Sequence, residues 1–156
     1  MDEVTAIRPA QAQRGTVSLV FEIVGSLLTA RRIRRGKKEI GMILPPVAEI
    51  SRPPAAVIRN LSRRVRLTVF LLLFWKRDRC FYRSYAMAVI LRKKGVPVEL
   101  HLGCWIDWRN TGWASGHCWL TLDSLLFEER VDPRGDFPVA LSCSEGPIHY
   151  WVGPAS

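Results

Sequence analysis

The chain has 156 residues, of which 48% are hydrophobic and 24% charged, and its formal net charge is +9. That length lets one domain bury a core without disulfide staples, and the balance of apolar and charged residues excludes wholesale disorder. So large a positive charge directs attention to anionic partners such as nucleic acid, an acidic peptide or a lipid surface.

Residues 1–15 read as a flexible lead-in with Pro9, glutamines and Gly15. The opening Met1-Asp2-Glu3-Val4 lacks a basic-then-apolar signal, so a cytoplasmic protein with reduced thiols is expected. Val17–Ala30 is apolar enough for a helix and runs into the basic cluster Arg31-Arg32-Ile33-Arg34-Arg35-Gly36-Lys37-Lys38. With Glu22 inside it, this stretch is well short of the roughly 20 residues a membrane crossing needs. Packing on the domain or on a partner is therefore favoured over peripheral membrane contact. Gly41–Pro54, with Pro45-Pro46 and Pro53-Pro54, is a linker. Residues 1–54 are thus an N-terminal helical region with its linker and 55–156 a core, the two expected to form one compact unit.

A second helix is expected from Ala55 to Trp75, with Val57, Ile58, Leu61, Val65, Thr68, Val69, Leu72 and Leu73 on one face. Its end, Leu67–Trp75, is apolar nearly all round and is expected to be buried. Arg59, Arg63, Arg64, Arg66, Lys76, Arg77 and Arg79 make a second basic cluster, either a solvated face or an electrostatic footprint. No aromatic-interleaved RNA motif or zinc-finger spacing accompanies it, so nucleic acid is not the expected partner.

Asp78 offers an N-cap for a third helix that carries Cys80 in its first turn. Arg92-Lys93-Lys94, then Gly95 and Pro97, end it. Val98, Leu100, Leu102, Cys104 and Ile106 alternate with Glu99, His101, Gly103 and Trp105, as in a half-buried strand. Asp107–Gly116 is expected to be a loop with Trp108 and Trp113, followed by a strand from His117. On that strand Cys118, Leu120 and Leu122 face one way and His117, Trp119 and Thr121 the other. Asp123-Ser124 is a turn, Leu125–Val131 returns, and Phe137–Leu141 and Ile148–Val152 are two more strand candidates. The sum is an α+β fold: N-terminal helices, then a helix packed on an antiparallel sheet.

A thiol at a helix N-terminus sits where unpaired N–H groups and the positive dipole end favour thiolate. Cys80 is so placed, and His117 on a neighbouring strand is its candidate proton acceptor. There is no CxxC pair, the three histidines are scattered, and no GxxxxGK[ST] loop occurs, so no metal or other cofactor is expected. Cys104 and Cys118 are expected in the core, while Cys143, His101 and His149 have no evident role. An acid that orients the histidine must come from nearby. Asp123 lies six residues beyond His117, about 20 Å along a straight strand, and is too far. The returning strand supplies Glu128 or Glu129. A two-residue turn puts Glu128 on the His117 face and a three-residue turn puts Glu129 there.

Cys80-x-x-Arg83-Ser84, then Leu91-Arg-Lys-Lys-Gly95-Val, then His117-x-Trp119 before an Asp turn resembles the transglutaminase-like superfamily. More narrowly, it is similar to the stand-alone leader-peptidase (B protein) family of lasso-peptide biosynthesis, over about Arg79–Leu141. Cys118 stands where that family usually has alanine. The resemblance implies Cys80 as nucleophile, His117 as base, and as acid Glu129, twelve positions after the histidine, where the family usually has Asp. Glu128 is the alternative. Phe137 falls where the family often has an aromatic, and Arg83, Ser84, Trp113 and Trp119 are candidates for the substrate groove.

The implied function is a bacterial cysteine peptidase that removes the leader from a lasso-peptide precursor through an acyl-thioester. Its implied partners are the precursor peptide, a leader-recognition protein and a macrolactam-forming cyclase. The competing classes are a transglutaminase-like acyltransferase or amidase of other specificity, and a non-catalytic basic binding protein.

Overall fold

The computed structural model describes residues 9–35, 44–76, 79–107, 113–137 and 139–143. Helix α3 (Arg79–Lys93) is the axis of the fold and is buried without interruption from Ser84 to Arg92. It packs against α1 (Pro9–Arg34), α2 (Ala55–Leu72) and the first two strands of a four-stranded antiparallel sheet. The reason lies in its composition. Tyr85 to Leu91 are apolar on every side, so the helix lowers its free energy only by burial all round.

The outer helices each bury one stripe. On α1 it is Leu19, Ile23, Ser26 and Ala30, at helical spacing, and Ser26 satisfies its hydroxyl by donating to the Glu22 carbonyl at 2.8 Å. This helix is longer than the expected Val17–Ala30 at both ends: it begins at Pro9, inside the expected lead-in, and the arginines after Ala30 continue it at no cost in burial. On α2 the stripe is Ile58, Ser62, Val65 and Val69. Burial of the Leu67–Trp75 end is corrected: the helix stops at Leu72, and Leu67, Phe70, Leu71, Phe74 and Trp75 are all more than half exposed. Only one stripe of a helix reaches a single neighbour, so residues off that stripe stay in water.

The linker is tied to the C-terminal end of α3. Arg92, itself buried, donates from Nε to the Pro45 carbonyl at 2.6 Å and from Nη1 to the Val98 carbonyl at 3.0 Å. Gly95 has φ +74, and the Val96 and Gly95 N–H groups bond back to the Leu91 and Arg92 carbonyls, which caps the helix. A Cβ at Gly95 would also stand 2.6 Å from the Ile50 carbonyl oxygen, so the position excludes side chains twice over.

The sheet order is β3-β2-β1-β4, with β1 at Val98–Asp107, β2 at Trp113–Leu122, β3 at Leu125–Phe127 and β4 at Val139–Cys143. Val98, Leu100 and Leu120 bury the face toward α3. Strand β2 begins at Trp113, inside the segment expected to be loop. Cys143 ends β4 and is buried. The proposed N-cap Asp78 and the strand candidate Ile148–Val152 lie outside the described residues. Asp123 and Ser124, with φ of 52 and 65, form a two-residue hairpin turn with both positions left-handed. Strand β3 is shorter than the expected Leu125–Val131, because Glu128 is also left-handed at φ 60 and breaks the extended ladder. Among the described residues no helix is long and apolar enough to cross a membrane.

Candidate active site

The brevity of β3 creates the site. It pairs only with Leu120–Leu122, so β2 from Trp119 backwards has no strand on that side. In an antiparallel pair, one residue's N–H and C=O point the same way and alternate residues agree. Gly116 and Cys118 therefore aim their polar groups together at the open edge, and the first turns of α3 take them up. The Ser84 hydroxyl donates to the Cys118 carbonyl at 2.9 Å, and Cys80 Sγ lies 4.0 Å from the Gly116 carbonyl oxygen. The helix is fixed to a strand edge by side chains one turn apart, and this sets the depth of Cys80.

The surroundings of Cys80 favour the anion. Its pKa falls from the ordinary thiol value to about 5. The largest cause is a hydrogen bond with the Cys118 side chain; burial opposes it, and the His117 charge and the N–H groups of Cys118 and Phe81 lower the value further. Cys118 moves the other way, raised by its bond to Cys80 and by burial, so it stays a protonated donor. The Phe81 N–H belongs to the first turn of α3, where backbone donors lack partners within the helix.

His117 presents Nε2 to a carboxylate. Its Nε2 lies 3.8 Å from Glu129 Oε2, while the other oxygen, Oε1, accepts a hydrogen bond from the Arg83 guanidinium. Glu129 thus lies between the Arg83 guanidinium and the His117 ring, largely shielded from solvent. A proton on Nε2 facing this carboxylate leaves Nδ1 as the ring's basic nitrogen. Glu128 turns away and pairs with Arg66 at 3.0 Å. The turn has two residues, for which a continuous strand would have put Glu128 opposite Trp119, on the His117 face. The left-handed Glu128 reverses the alternation by one residue, and Glu129 arrives instead.

The groove candidates divide. Arg83 lines both a cleft of about 380 Å³ with His117 and Glu129 and a larger groove beside it. Ser84 and Trp119 are buried, 2% and 1% exposed, and Ser84 borders a small pocket with Arg66, Arg83 and Glu129. Trp113 starts β2, but its side chain lies outside the described residues. Trp119 stacks between His101 and His117, with ring centroids 5.7 and 6.1 Å away. Phe137 closes on His117 at 5.5 Å. Gly103 makes room for both aromatics: a Cβ there would be 2.7 Å from a Trp119 ring carbon and 2.7 Å from Phe137 Cβ.

Two participants escaped the sequence reading. His101 has partners after all, Thr121 Oγ1 at 2.7 Å and Ser142 Oγ at 3.1 Å, and burial lowers its pKa. Its place directly across from Trp119 was the available signal, given the hairpin register. Cys118 is buried, as expected of a core residue, but its side chain is also the largest influence on the Cys80 thiol. No sequence pattern announces that.

A family model described as the transglutaminase-like superfamily matches residues 23–142. No curated protein and no solved structure matches the chain.

Proposed function

Because the chain belongs to the transglutaminase-like superfamily, which includes cysteine peptidases and acyltransferases, we propose that it is a cysteine peptidase that removes the leader from a lasso-peptide precursor. What supports the catalytic part is the lowered pKa of Cys80, on which the His117 charge acts, together with His117 Nε2 lying 3.8 Å from Glu129. The lasso-peptide part rests on the motif Cys80-x-x-Arg83-Ser84 with His117-x-Trp119. A leader-recognition protein presents the precursor in this reading, and a macrolactam-forming cyclase takes the released core.

The thiolate of Cys80 attacks the scissile carbonyl carbon, forming a C–S bond and moving the π electrons onto oxygen. The backbone N–H of Cys80 donates to this oxyanion. Protonated His117 gives its proton to the leaving amine as the C–N bond breaks, and the core peptide departs. The leader remains as a thioester on Cys80. Neutral His117 then takes a proton from water, whose oxygen attacks the thioester carbonyl and releases the leader acid and the Cys80 thiolate. Glu129 keeps Nε2 protonated and the ring oriented throughout, as the acid of a triad does. Arg83 positions Glu129.

The test mixes the protein with a precursor peptide and its leader-recognition partner and follows leader release by mass. Cys80→Ala and His117→Ala abolish cleavage, and Cys104→Ala and Cys143→Ala retain it. Glu129→Gln lowers the rate by about 10²- to 10⁴-fold, the range for losing an acid–base partner. Full cleavage by Cys80→Ala overturns the nucleophile, and loss in Glu128→Gln with retention in Glu129→Gln moves the acid by one position. Transfer of the leader acyl group to an added amine in preference to water places the chain among the acyltransferases.

A further inference from the structure

Helix α2 carries a second stripe, one residue round from the buried one. Arg59, Arg63, Arg66 and Phe70 follow each other at four-, three- and four-residue spacing and line a groove of about 830 Å³ with Arg79 and Glu128. No Asp or Glu occurs between Ala55 and Leu72, so the arginines face like charges at the spacings where helix neighbours repel. Arg66 is paired with Glu128, and the Arg79 guanidinium lies 5.5 Å from the Phe70 ring centre. Arg59 and Arg63 have no ion pair among the described residues. A groove that holds uncompensated cations beside an exposed aromatic is complementary to an anionic and partly apolar chain.

Its position says which chain. Arg66, Arg83 and Glu128 line this groove and also the cleft that holds His117 and Glu129, so the two are continuous. We propose that the α2 groove is an extended subsite for the peptide substrate, selecting a segment with acidic residues and an apolar anchor close to the bond that is cut. The stripe from Arg59 to Phe70 is about 17 Å long, which an extended peptide covers in about five residues. The acidic residues contact Arg59 and Arg63, and the apolar anchor lies on Phe70. The position of the cut bond rests on the peptidase reading; the binding of an acidic peptide does not.

The experiment measures binding alone, in the full chain carrying Cys80→Ala so that no probe is consumed. Two fluorescein-labelled decapeptides are compared by anisotropy, one with two adjacent glutamates and a leucine, the other with glutamines in place of the glutamates. The acidic peptide binds roughly tenfold or more tightly at low salt, and the advantage shrinks as salt rises. Arg59→Glu with Arg63→Glu removes the preference, and Arg59→Lys with Arg63→Lys keeps most of it. The lysine pair reads the charge without reversing it, so a folding failure of the glutamate pair leaves the proposal exposed to disproof. Equal binding of the two peptides overturns it. So does an unchanged preference in the charge-reversed pair, or displacement of the acidic peptide by a single-stranded oligonucleotide of equal charge at much lower concentration. Because cleavage is not read, failure here leaves the peptidase assignment standing, and loss of that assignment leaves this result standing.

Discussion

Cys80 is set apart from the other thiols by its neighbours. Cys143 is held up to about 11 by burial alone, and Cys118 is raised while it serves as donor. With a pKa of about 5, the Cys80 thiolate fraction rises as pH increases through that value and is flat by neutrality. Alkylation by iodoacetamide, followed by mass, is therefore expected to show a midpoint near 5 for Cys80, against the ~8.5 of a free thiol. Cys118→Ala removes the largest of the lowering interactions and moves that midpoint upward; an unmoved midpoint would assign the effect to His117 and the backbone donors. The candidacy of Cys80 and His117 was legible from their places at a helix start and on a strand. The thiol–thiol contact was not, because cross-element contacts at a strand edge leave no periodic trace in sequence.

At the scale of elements, the register of the returning strand was open between a two- and a three-residue turn, but the turn at Asp123-Ser124 and the inward Val98 and Leu100 of β1 were readable. The chain's choice between the two glutamates was not. It turns on one left-handed residue, Glu128, and nothing in a Phe-Glu-Glu-Arg stretch marks which residue adopts that conformation. Gly103 belongs to this scale as well, because it lets the segment ending in Phe137 settle against Trp119 and His117. Gly103→Ala is expected to cost about 1–3 kcal/mol in a urea melt, the range for overpacking a filled site. A variant as stable as the parent would mean that Trp119 and Phe137 have room to retreat. The exposed end of α2 was misjudged for a simple reason: local hydrophobicity tells how much surface seeks cover, not how much cover the neighbours supply.

Across the whole molecule, one buried cluster takes in Leu19 and Ile23 of α1, Val65 and Val69 of α2, Tyr82 and residues 85–91 of α3, and the inner sheet face. Arg92 fastens the linker between the first two helices to the same body. Ile23→Ala, at a fully buried position, is expected to cost about 2–5 kcal/mol and to lower the midpoint of sheet and helix probes together. Separate transitions would mean that α1 unfolds by itself. The α+β order of elements was legible because each stripe obeys its own period; how many stripes each helix would find partners for was not. The left-handed Glu128 has one more consequence, concerning mutations that alter length. Substitutions between His117 and Glu129 change what the hairpin is made of, but one inserted or deleted residue changes its phase and exchanges the carboxylate beside the histidine for a neighbour. Over those twelve steps the chain's count is itself a functional quantity, and an alignment gap there would signal a different pairing of acid and base.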